Sequence, residues 1–77
     1  MTVRRLFNTY KRQTQISARE LDVLALLASG KSNQAIADTL IIGVNTVKMH
    51  LRHIYAKLDA HNRVQAIIQA RALGLVP

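Results

Sequence analysis

Apolar positions along this chain gather into four short stripes, each bounded by residues that start or stop helices. From Ile16 onward, Leu21, Val23, Leu24, Leu27 and Ala28 form a wide stripe of helical period. Ser17 followed by Glu20 has the spacing of a capping box, which satisfies two orphan backbone donors at a helix start. Gly30 stands where a left-handed C-terminal cap is wanted. Ser32 is the next N-cap candidate and opens a short helix through Leu40, with Ile36, Ala37 and Leu40 inward and Asp38 outward. Ile41, Ile42 and Gly43 interrupt that pattern. Gly43 suits either a positive φ or a small N-cap, so a tight turn is predicted here.

The third stripe is the sharpest. Val47, Leu51, Ile54, Tyr55 and Leu58 fall on one side of a helix expected over Val44 to Leu58, while Asn45, Lys48, Met49 and Arg52 cluster on the opposite side. Asn62 and Gln65 repeat the capping-box spacing and open a fourth helix carrying Val64, Ile67, Ile68, Arg71 and Leu75, which Gly74 and Pro77 end. Ahead of all this, residues 1–15 are polar and basic, with Leu6, Phe7 and Tyr10 as isolated apolar positions. A linker or arm is expected there, and one helical domain over residues 16–77.

Composition narrows the picture. Apolar residues make up 49% of the 77 residues but aromatics only 4%; the core must be built from Leu, Ile, Val and Ala, which suits short packed helices. The absence of Cys excludes disulfides and thiolate metal sites. His50 and His53 lie three apart with no carboxylate nearby in sequence, so neither a metal site nor a cofactor is expected. No apolar run approaches the roughly 20 residues of a membrane span, and the first residues lack the apolar stretch of a signal peptide. A cytoplasmic protein is the expectation.

A formal charge of +7 points to a polyanionic partner, and the placement of charge says more than the total. Arg4, Arg5, Lys11 and Arg12 precede the fold, where a solvated linker and a minor-groove arm are the two readings. Between Thr39 and Leu58 stand Lys48, Arg52 and Lys57 and no acid; the four acids, Glu20, Asp22, Asp38 and Asp59, all lie outside that stretch. Helix, three-residue break and helix is the helix-turn-helix arrangement, whose second helix enters the DNA major groove. There Arg or Lys pairs with guanine O6 and N7, and a Met side chain can touch a thymine methyl.

The residues in these positions resemble a known family. Ile16-Ser17-x-Arg19-Glu20-x-x-Val23-Leu24, Gly30-x-Ser32-Asn33-x-x-Ile36-Ala37, Thr46-Val47-Lys48-x-His50-Leu51-x-x-Ile54-Tyr55-x-Lys57-Leu58 and Arg63-x-Gln65-Ala66 are similar to the LuxR-type helix-turn-helix, the output domain of quorum-sensing receptors, NarL/FixJ-type response regulators and MalT-like activators. The resemblance covers Ile16 to Val76. It implies an all-α, four-helix domain that binds double-stranded DNA in a transcriptional regulator, with RNA polymerase as a further partner. By position it puts base contact on Lys48, Met49 and Arg52, and phosphate contact on Ser32, Asn33, Asn45, Thr46, His50 and Lys57, with Tyr55 either there or packed at the core edge. It also implies a homodimer on DNA through Val64, Ile67, Ile68 and Arg71, although part of that stripe must serve the core. Glu20 is expected in a structural role, with Arg63 as a candidate partner. Two departures stand out: Gly43 where the family often has Ser or Thr, and Asp59 where it usually has Gly.

Other classes fit less well. The promoter-reading region of a sigma factor typically lacks the equivalents of His50, Tyr55 and the Arg63-x-Gln65-Ala66 helix. A basic helix docking an acidic protein would not need a duplex, and the steep salt dependence of DNA binding separates the two. No supported Ser-His-Asp set, phosphate loop or paired carboxylates point to an enzyme.

Overall fold

A computed structural model describes residues 15–77, so the arm expected over residues 1–15 lies, Gln15 apart, outside the described residues. Four helices follow in order: α1 (Ala18–Ala28), α2 (Asn33–Leu40), α3 (Val44–Leu58) and α4 (Arg63–Ala72). No strand occurs among the described residues, and no helix there is long and apolar enough to cross a membrane.

Each start follows its sequence signal. Ser17 Oγ accepts from the Glu20 amide at 3.1 Å, and the Ser17 amide donates back to Glu20 Oε1 at 2.9 Å, a complete capping box. Ser32 Oγ accepts from the Ala35 amide, and Asn62 Oδ1 from the Gln65 amide. At α4 the box is offset by one residue, because Gln65 Oε1 accepts from the His61 amide rather than from Asn62. Gly43 caps α3 with no side-chain hydrogen bond.

The ends share one device. Lys31, Ile42, Ala60 and Leu75 each donate a backbone bond back to the carbonyl five residues earlier, closing the 6→1 loop of a Schellman cap. The residue before each donor is left-handed: Gly30 at φ 91°, Ile41 at 57°, Asp59 at 53° and Gly74 at 72°. Gly43, offered by the sequence as one place for a positive φ, stays extended at φ −71° and serves as the N-cap instead. The chirality change falls on Ile41, one residue past the end of α2, because the cap geometry is counted from the helix end and not from the nearest glycine.

The core joins all four helices. Val23, Leu24 and Leu27 of α1, Ile36 and Ala37 of α2, and Val47, Leu51, Ile54 and Leu58 of α3 close around one another, and Ala66 and Ala70 complete it from α4. Tyr55 is half-buried and packs against this cluster. The helix α3 packs against each of the other three and is the central element. The buried positions of α4 are both alanines. Small side chains let that helix approach closely, so its larger apolar residues Val64 and Ile68 point outward, 64% and 59% exposed.

Candidate nucleic-acid interface

Two polar rows flank the buried stripe of α3. One holds Lys48 and Arg52, four residues apart and therefore neighbours one turn from each other. Both are exposed, and among the described residues neither is paired with a carboxylate. Met49 lies beside them, 40% exposed. Asn45 is exposed and Thr46 half-buried in the first turn, where no side chain caps the leading amides. A helix start with unclaimed N–H groups carries a partial positive charge that suits phosphate.

The other row, His50, His53 and Lys57, recurs at steps of three and four, and its last two members, His53 and Lys57, meet α1. Lys57 Nζ donates to Glu20 Oε1 at 2.6 Å, and His53 Nδ1 lies 4.0 Å from Glu20 Oε2. The Glu20 side chain is 5% exposed. Burial pushes its carboxyl up, but the hydrogen bonds from Lys57 and the Ser17 backbone, with the Lys57 charge, outweigh that and hold it below its ordinary value.

The sequence that builds this geometry matches a family model described as bacterial regulatory proteins, luxR family, over residues 14–70. The chain belongs to the luxR family. LuxR-type helix-turn-helix domains bind DNA. The chain is 48% identical over 67 residues to the HTH-type transcriptional activator RamA of Corynebacterium glutamicum, covering 87% of this chain and 24% of that protein. It is 43% identical over 61 residues to the transcriptional regulatory protein LiaR of Bacillus subtilis and 41% identical over 61 residues to the response regulator protein VraR of Staphylococcus aureus; each match covers 79% of this chain and 29% of the relative. The chain thus spans about a quarter of the length of these curated relatives.

Within this LuxR-type domain some residues expected at phosphate have partners inside the fold. Ser32 caps α2. Asn33 Oδ1 accepts from Arg63 Nη1 at 3.4 Å, and Arg63 Nη2 donates to the Lys31 carbonyl. The expected Glu20–Arg63 pair does not form. Glu20 sits in the first turn of α1 and Lys31 beyond its last, about 16 Å apart at helical rise. Arg63 therefore reaches the far end of α1 and locks the α1–α2 turn to the start of α4. The Lys57–Glu20 pair spans 37 residues; the one sequence signal for it is the i, i+3, i+7 row that separates Lys57 from Lys48 and Arg52. On α4, Val64 and Ile68 are exposed and Ile67 half-buried, while Arg71 Nε donates to the Pro77 carbonyl at 3.0 Å. No group of three or more potential metal-ligating side chains occurs among the described residues.

Proposed function

We propose that this chain is the DNA-reading output module of a larger bacterial transcriptional regulator, acting in the cytoplasm. In this reading α3 lies in the major groove and Lys48, Met49 and Arg52 meet base edges, while Ser32, Asn33, Asn45, Thr46 and His50 hold the phosphate backbone. The observation that carries it is the Lys48–Arg52 row: two long cations one turn apart, exposed, with no carboxylate partner among the described residues, on the face of α3 turned away from the core.

A second copy of the chain is the proposed partner on DNA, meeting this one through α4. Val64 and Ile68 form an exposed apolar pair one turn apart, with Ile67 and Arg71 alongside, on a helix whose inward positions are filled by alanines. The relative from Corynebacterium glutamicum is named a transcriptional activator, and activation engages RNA polymerase, which is therefore the further partner proposed.

The test is fluorescence anisotropy of a labelled duplex pool at several salt concentrations, with the Lys48→Ala/Arg52→Ala double variant alongside. Steep salt dependence with clear loss in the folded double variant supports the reading. Equal binding by wild type and double variant to a selected duplex refutes the base-reading assignment.

A further inference from the structure

The structure assigns Lys57 to a different task from Lys48 and Arg52: we propose that it is a positioning residue that sets the roll of α3 against α1, not a contact to phosphate. The proposal rests on the base-reading role of Lys48 and Arg52 and says what aims them.

The anchor on α1 is unusually well fixed for a surface-reaching ion pair. Glu20 accepts from the Ser17 amide, its own amide is bound to Ser17 Oγ, and its side chain is 5% exposed, so the carboxylate has little freedom. Lys57 closes on that fixed point at 2.6 Å with its side chain 35% exposed, and His53 flanks it one turn earlier. A lysine so held does not carry its ammonium to a DNA phosphate without leaving a buried carboxylate unpaired, which is the costly way to break such a pair.

The consequence for reading follows from helix geometry. Lys57 lies five residues beyond Arg52 and nine beyond Lys48, on a rod of continuous helix. With side chains reaching about 5–6 Å from the axis, a roll of about 10° displaces their ends by about 1 Å. A displacement of that size exceeds the roughly 0.5 Å tolerance of a preorganised contact. The apolar stripe confines α3 by packing, which is not directional; the ion pair adds a directional constraint on the flank opposite Lys48 and Arg52.

The experiment compares Lys57→Met, Lys57→Arg, Glu20→Gln and Lys48→Ala in the 77-residue chain. Circular dichroism sets a temperature at which all are folded. For each variant two quantities are read by anisotropy: the slope of log affinity against log salt on a random duplex, and the ratio of affinity for a duplex selected by wild type to affinity for the random one. A positioning role predicts that Lys57→Met leaves the salt slope unchanged and lowers the ratio about tenfold. Glu20→Gln should do the same, and Lys57→Arg should restore the ratio to within about threefold of wild type. A slope reduced by about 0.9 in Lys57→Met with an unchanged ratio would make Lys57 a phosphate contact and overturn the proposal. An unchanged slope and ratio in a merely less stable protein would overturn it too, leaving the pair a structural tie. Lys48→Ala reports separately on the underlying reading: if it keeps the wild-type ratio, base reading by that row has failed, whatever Lys57 does.

Discussion

The two polar rows of α3 carry the same kinds of residue to opposite ends. Lys48 and Arg52 stand outside every ion pair among the described residues, whereas Lys57, on the same helix and with the same side-chain chemistry as Lys48, closes on a buried carboxylate from α1. What separates them is which neighbour each flank meets. A count of three cations on an acid-free helix overstates the charge offered to a polyanion; two are available and one is held. The Lys48–Arg52 row remains at the surface with long, adaptable side chains, and on the other flank Lys57 is tied to Glu20 of α1.

The strongest way to break this comparison is to remove what both rows share. Leu51 lies at the buried centre of α3 and belongs to neither row. Leu51→Ala should cost about 2–5 kcal/mol of stability, read as a shift in the denaturant midpoint, and should abolish binding only as the domain unfolds. A loss below about 1 kcal/mol would show that α3 is not the central packing element. Next come the outward residues: Lys48→Ala and Arg52→Ala should each weaken binding to a selected duplex by about 1–3 kcal/mol, while their unfolding midpoints barely move.

Acid sharpens the contrast from the other side. Because the Glu20 carboxyl is held below its ordinary value of 4.5, its contribution to stability is fully present above that value and is lost as pH falls through the lowered one. Lys57 and His53 are the charged and titratable groups facing it. Denaturant midpoints measured from neutral pH down through the carboxylate range should fall for wild type and fall less for Glu20→Gln; parallel curves would show that Glu20 contributes no such linkage.

The smallest effects come from the caps that bracket α3. Ile41 is β-branched, 89% exposed and left-handed at φ 57°, a conformation that costs a non-glycine residue about 1–2 kcal/mol. Ile41→Gly should therefore raise the melting temperature, for a net gain of about 0.5–1 kcal/mol once the flexibility of glycine in the unfolded chain is counted. At Gly43 the backbone is already that of a capped N-terminus, and a Cβ would meet only Thr46 Oγ1 at 3.9 Å. Gly43→Ser should add a few tenths of a kcal/mol to stability, a shift that a melting curve resolves.

Local rules carried the reading of the elements. Ser17, Ser32, Asn62, Gly30 and Gly74 mark helix ends by short-range hydrogen bonding and backbone freedom, and the predicted starts agree with the observed ones at all four helices. The inward stripe of α3 was legible for the same reason: a helix repeats its face every three to four residues, so Val47, Leu51, Ile54, Tyr55 and Leu58 are sorted to one side by phase alone. The fourth helix was harder, because Val64, Ile67 and Ile68 outweigh Ala66 and Ala70 in hydrophobicity, yet the alanines face inward. Closeness of approach, which decides that, is a property of two helices together.

By itself, then, the chain determined where helices begin and end, which flank of α3 is apolar, and that Lys48 and Arg52 lie together; all of these depend on residues within about one or two turns. Only the tertiary structure decided that Lys57 belongs to Glu20, that Arg63 reaches Lys31 and Asn33 instead of Glu20, and that Val64 and Ile68 face outward. Those contacts join residues 30 or more positions apart or depend on how two helices are rolled against each other. Helical period fixes the angle between side chains on one rod and leaves the roll of each rod against the next to the packing of the core.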